Sequence, residues 1–144
     1  MELEGKLFIT KELMLIGSGL YQKNTQGDSA GNMMPVPEAS GKGGISYSAS
    51  GFTASVFNIY EGDLHKRYNT KYNPTRKAFD LLNANVKYEI SRLFKLTAPV
   101  ITLEFEGNNL LDQEIWLPAT GQAKSYTVPQ VQGLSLYFGA TVGF

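Results

Sequence analysis

The sequence predicts an all-β protein, an antiparallel up-and-down meander, and three observations predict it. Apolar and polar residues alternate with a period of two in several separate stretches, no stretch competes with a helical period, and tight connections alternate with long ones. A period of two sends successive side chains to opposite faces of a strand, so each such stretch has one greasy and one hydrophilic face. At 144 residues, with 42% apolar and 12% aromatic content, the chain has the length of one domain and enough hydrophobic surface to order itself.

Taken in order, the first strand is expected over residues 2–10, where Leu3, Leu7 and Ile9 alternate with Glu4 and Lys6. A turn at Lys11-Glu12 leads into the second, 13–23, which is apolar on both faces and leaves its register open. Ile45, Tyr47 and Ala49 against Ser46, Ser48 and Ser50 mark the third, 43–50, and Gly51 turns it into the fourth, 52–61, also apolar on both faces. The fifth, 79–90, sets Leu82, Ala84, Val86, Tyr88 and Ile90 against Asn83, Asn85, Lys87 and Glu89. The sixth, 99–108, sets Ile101, Leu103 and Phe105 against Thr102, Glu104 and Glu106. The last, 132–144, is the clearest, with Leu134, Leu136, Phe138, Ala140, Val142 and Phe144 alternating with Ser135, Tyr137, Gly139, Thr141 and Gly143.

The connections are tight at 11–12, 51 and 91–98 and long at 24–42, 62–78 and 109–131, where Gly, Asn, Asp, Ser and Pro cluster. A soluble sandwich has little reason for such strict alternation, whereas an outer-membrane barrel has short periplasmic turns and long external loops. Polar rows such as Asn83 to Glu89 and Thr102 to Asn108 are then expected to line a wet lumen. The apolar rows are expected to meet lipid, where every backbone group must find a strand partner. Tyr21, Tyr60, Phe52, Phe79, Phe94 and Phe144 lie near strand ends and are expected to form aromatic girdles. The fold class is therefore an antiparallel meander forming part of a transmembrane β-barrel.

Several classes of function fall away. Thirteen Lys and Arg balance 13 Asp and Glu, which argues against a broad nucleic-acid surface. The absence of cysteine excludes disulfides and thiolate metal sites, and His65, the single histidine, excludes a His-based metal site. No metal and no cofactor is expected. No run approaches a membrane-spanning helix, and Met1-Glu2-Leu3-Glu4-Gly5-Lys6 has neither the basic nor the apolar segment of a secretory leader. Gly41-Lys42-Gly43-Gly44 precedes a strand rather than a helix, so it reads as a turn and not a phosphate cradle. Glu104 and Glu106 share a strand face without an opposing cleft, no catalytic motif is present, and the chain is not expected to be an enzyme.

The carboxyl-terminal half resembles a specific family. Asn108-Asn109-Leu110-Leu111-Asp112 closes the penultimate strand, a long loop follows with Trp116, Pro118 and Gly121, and the chain ends Tyr137-Phe138-Gly139-Ala140-Thr141-Val142-Gly143-Phe144. This arrangement resembles the carboxyl end of TonB-dependent outer-membrane receptors, best over 79–144 and more weakly over 1–78. The resemblance implies that Tyr137, Phe138, Val142 and Phe144 carry the signal read by the barrel-assembly machinery. It implies a place in the bacterial outer membrane, in contact with its lipid, within a receptor for active uptake of a siderophore, vitamin or oligosaccharide. The family's amino-terminal plug and its motif for the TonB complex have no counterpart here. Residues 1–144 are thus expected to be a fragment, the terminal strands of a barrel whose parent engages the TonB complex through the plug, and not competent for transport alone. An odd strand count points the same way, because single-chain bacterial barrels are even-numbered.

Candidate ligand contacts lie in the long loops. His65, Lys66, Arg67, Tyr68 and Tyr72 interleave cations with aromatics, which suits an anionic ligand such as a ferric siderophore, or lipopolysaccharide phosphates, although a solvated loop is the commoner use of such a run. Trp116 is placed either to stack on a ligand or to seat its loop at headgroup level. Two other readings stay open from the residues: a complete small outer-membrane barrel with an adhesive or structural role, and a soluble β-barrel carrier with its apolar rows turned inward.

Overall fold

The structure, a computed structural model, describes residues 1–23, 37–63, 77–117, 128–129 and 132–144. Its strands are β1 (Glu2–Phe8), β2 (Leu13–Tyr21), β3 (Ala39–Ala49), β4 (Phe52–Glu61), β5 (Phe79–Glu89), β6 (Val100–Asn108), β7 (Trp116–Leu117), β8 (Val128–Pro129) and β9 (Ser135–Gly143). Seven of them form one antiparallel meander in the order β1-β2-β3-β4-β5-β6-β9, and β7 pairs with β8 in a separate ladder. The fold is all-β, as the alternation predicts; a 3₁₀ turn, Ile90–Arg92, follows β5. The sheet is open. Among the described residues β1 pairs only with β2 and β9 only with β6. Because each of the seven strands is antiparallel to the next, β1 and β9 run in the same direction.

Register assigns every residue to a face, since directly opposed residues point to the same side. One face carries Leu3 and Leu7 of β1, then Leu13 and Leu15 of β2, then Ile45 and Tyr47 of β3. It continues through Phe52, Ala54 and Val56 of β4 and Leu82, Ala84, Val86 and Tyr88 of β5. It ends on Leu103 and Phe105 of β6 and Leu136, Phe138, Ala140 and Val142 of β9. The opposite face carries Glu2, Glu4 and Lys6, then Ser40, Lys42, Ser46 and Ser48, then Asn83, Asn85, Lys87, Glu104, Glu106 and Tyr137. The strands with open registers are thereby resolved: Leu13 and Leu15 join the apolar face while Met14 and Ile16 join the other.

Two expectations are corrected. Gly41-Lys42-Gly43-Gly44 is not a turn but the first half of β3, which begins at Ala39. Glycine suits this strand because a Cβ on Gly44 would fall inside the ring of Phe57, which lies across the strand from it. Gly41 and Gly43 meet Gly19 and Gly17 directly, so two rows of the apolar face expose backbone instead of side chains. Phe79 is not a girdle residue. Its register opposite Glu61 puts it on the polar face, and it is buried.

The described residues enclose no interior. Among the described residues the buried hydrophobic side chains are Phe79 and Ile115 alone, while Phe138 stands 74% exposed and Val56, at mid-strand, 40%. The tight connections, at residues 9–12, 50–51 and 90–99, all fall at one end of the sheet, and the long ones at the other.

Candidate functional site

The apolar face is the largest chemical feature of the molecule. Over seven strands it bears a single charged side chain, Asp80, the second residue of β5 at the long-loop end. Asp80 accepts a 2.6 Å hydrogen bond from Nδ2 of Asn58, so even this pair is turned inward on itself. At the tight-turn end Tyr47, Phe52 and Tyr88 sit side by side across β3, β4 and β5, with ring centroids 6.3 and 6.2 Å apart. Tyr21 and Tyr60 occupy the long-loop end of the same face. Aromatic rows therefore bracket an aliphatic band on that face. Between β1 and β2 an open groove of about 500 Å³ lies between Leu3, Leu7 and Leu15, floored by Gly5, Gly17 and Gly19.

The opposite face is built for water but is not uniformly polar. Lys87 Nζ lies 2.6 Å from Glu104 Oε1, which also accepts a 3.0 Å bond from Asn85 Nδ2. Glu106 accepts from Asn108 at 2.8 Å. The carboxylates at 104 and 106 are thus engaged with neighbours on their own wall. Further along the same face Ile16, Phe57, Ile59 and Leu81 form an apolar patch across β2, β4 and β5.

The predicted ligand residues are mostly beyond what the structure describes. His65, Lys66, Arg67, Tyr68 and Tyr72 all lie outside the described residues. Trp116 is placed on β7, opposite Pro129, where the β7–β8 ladder draws the two limbs of the long final loop together. Of the predicted assembly residues, Phe138 and Val142 share the apolar face, Tyr137 lies opposite Glu106 on the polar face, and Phe144 ends the chain fully exposed. Phe94, expected in a girdle, projects from the connection between β5 and β6.

Asn109 and Asp112, part of the run that carries the family resemblance, have a structural role in the fold. Asn109 is fully buried at φ 51°, a left-handed conformation that asparagine tolerates. Its backbone N–H donates to Asn83 Oδ1, and its Nδ2 donates to the carbonyls of Gln113 and Gln132 at 3.0 and 3.1 Å. Its Oδ1 accepts from the Gln113 N–H at 2.9 Å, and Asp112 Oδ1 accepts from the Leu134 N–H at 2.9 Å. Together they staple the start of the final loop to its end. An Asn-x-x-Asp pair directly after a strand is the only signal that pointed there.

Among the described residues no cluster of three or more His, Asp or Glu side chains is placed to hold a metal ion. No described helix is long and apolar enough to cross a membrane, which says nothing of a β-barrel. No protein-family model matches the chain, and a search of curated proteins finds no similar sequence.

Proposed function

We propose that this chain is a wall segment of an outer-membrane β-barrel, the terminal strands of a TonB-dependent receptor for a ferric siderophore, vitamin or oligosaccharide. The observation that carries the reading is the bare apolar face. A water-soluble sheet buries its greasy side against a second layer, and burial of that kind drives folding. Here the aliphatic band from Leu3 to Val142 is exposed on β1, β9 and much of β3 and β4 and half-buried on β2 and β5, bracketed by aromatics and free of lysine, arginine and glutamate, which suits contact with hydrocarbon. Antiparallel closure requires an odd number of further strands between β9 and β1, because these two edges run in the same direction. The segment therefore does not transport alone. In the intact receptor it stands in the bacterial outer membrane, inserted by the barrel-assembly machinery, with the TonB complex acting through the plug.

The patch of Ile16, Phe57, Ile59 and Leu81 favours a receptor over an open pore. A water-filled lumen would leave these side chains wet, whereas a domain seated in the lumen would cover them.

Fractionation of the expressed full chain tests the wall. The expected result is sedimentation with outer membranes, resistance to alkaline wash and release only by detergent; a water-soluble monomer would contradict it. Ligand uptake tests the receptor. Joined to a plug and the closing strands, the wall should support energy-dependent uptake of one of the three ligand classes. A wall that assembles in that setting and supports none contradicts the receptor assignment and leaves the barrel assignment standing.

A further inference from the structure

The connection between β5 and β6 is short, tightly bonded and greasy on its outside. Leu93, Lys95 and Leu96 donate their backbone N–H groups to the carbonyls of Ile90, Arg92 and Ser91 at 3.0, 3.2 and 3.0 Å. Ser91, 1% exposed, is the hub: its Oγ donates to the Pro99 carbonyl and accepts from the Ile101 N–H, tying the start of the turn to β6. Arg92 Nε donates to Glu89 Oε2 at 2.8 Å, and the Arg92 side chain packs so closely over Gly51 that a Cβ there would meet its Cδ at 2.7 Å. The turn is held at both ends and against the neighbouring hairpin. Yet it presents Leu93, Phe94 and Leu96 at 63%, 70% and 47% exposure.

A rigid backbone that displays three bulky apolar side chains has already lost the entropy that docking would cost. The charge beside them selects the partner. Lys95 stands between Phe94 and Leu96 with no carboxylate partner among the described residues, and Glu89, the nearest acid along the chain, is held by Arg92. The turn thus offers apolar surface with a free cation and no free anion. It also begins two residues beyond Tyr88, a member of the aromatic row that ends the apolar face.

We infer that residues 93–96 form a bilayer-interface anchor, with Leu93, Phe94 and Leu96 seated at the acyl boundary and Lys95 on the phosphate of an anionic phospholipid. This rests on the reading of the sheet as a membrane wall, because the anchor sits at the level where that wall would leave the bilayer. Its effect is to set the depth of β5 and β6, the strands that carry the Lys87–Glu104 pair.

The test exploits the absence of cysteine. Phe94→Cys and, separately, Val56→Cys are labelled with an environment-sensitive fluorophore in the full chain. Each is reconstituted in vesicles of phosphatidylethanolamine with or without phosphatidylglycerol. The label at 94 is expected to be quenched by a nitroxide placed high on the acyl chain and shielded from iodide, and the label at 56 by a nitroxide placed deep. A Lys95→Gln substitution is expected to weaken binding to phosphatidylglycerol vesicles about fivefold, the effect of one basic residue at an anionic surface, and to leave binding to the neutral vesicles unchanged. A label at 94 open to iodide while that at 56 lies in lipid overturns the anchor and leaves the wall. Lipid at 94 with water at 56 overturns the wall and leaves an interfacial anchor. Water at both overturns both, and a Lys95→Gln effect equal in the two vesicle types overturns the headgroup contact.

Discussion

Replacing Val56 with arginine places a charge where the wall reading tolerates it least. Val56 is the fifth of the ten residues of β4, directly opposite Ile45 and Ala84 on the apolar face. At a rise of ~3.4 Å per residue and a tilt of ~45°, a ten-residue strand covers about 24 Å of depth, close to the ~25 Å apolar band of an outer-membrane barrel. Val56 then lies about 10 Å in from Phe52 and about 12 Å in from Glu61, near the midplane. Arginine there costs about 2–4 kcal/mol, or roughly 30- to 800-fold in the folding equilibrium, whereas at Phe52 or Tyr60 it costs about 0–1 kcal/mol. Ser55→Arg, one residue away on the polar face, stays within about 0.5 kcal/mol. Urea titration of each variant in lipid vesicles reads these differences from the midpoints. Equal costs at 55 and 56, or an equally large cost at 56 for protein folded in water without lipid, would refute the reasoning.

Three further outcomes are expected. Gly44→Ala drives a methyl into the Phe57 ring and destabilises the sheet by about 1–3 kcal/mol, and a Phe57→Leu partner change recovers most of it in a double-mutant cycle; a neutral Gly44→Ala contradicts the packing. Asn109→Ala removes three side-chain bonds within the loop staple and loosens it by about 2–3 kcal/mol, seen as faster hydrogen exchange at the Gln113 amide; unchanged exchange there denies the staple its role. Deleting Phe144 lowers the fraction of chain assembled in outer membranes severalfold while Phe144→Tyr preserves it, and undiminished assembly after the deletion counts against the terminal signal.

The parts of the fold that were readable from the residues are those where one face is uniformly apolar. In β9 and in 82–88 the period of two and the register coincide, so strand, face and partner chemistry all follow from the order of residues. The run Leu13-Met14-Leu15-Ile16 defeats that logic because both faces are apolar, and only its pairing with Ile45 and Gly44 decides which side is which. Gly41 to Gly44 misled for a physical reason: glycine usually marks turns, but here it accommodates Phe57 on one side and faces other glycines on the other. Phe79 shows how parity overrides location, since one position along β5 separates the two faces. Asn109 was visible, but not its partners Asn83 and Gln132, which are 26 and 23 residues away in sequence and meet it only through the fold. The basic and aromatic run at 64–76 is legible only as residue types and lies outside the described residues.

The measurement that bears most directly on the wall is thiol reactivity along β5 in outer membranes carrying the chain joined to its closing strands. Single cysteines are placed at each position from 82 to 88 and treated with a membrane-impermeant maleimide admitted to the lumen. Reaction at 83, 85 and 87, with 82, 84, 86 and 88 modified only by a lipid-soluble reagent, is the predicted pattern. Reaction at the even positions with the odd ones shielded, or no alternation at all, would contradict it.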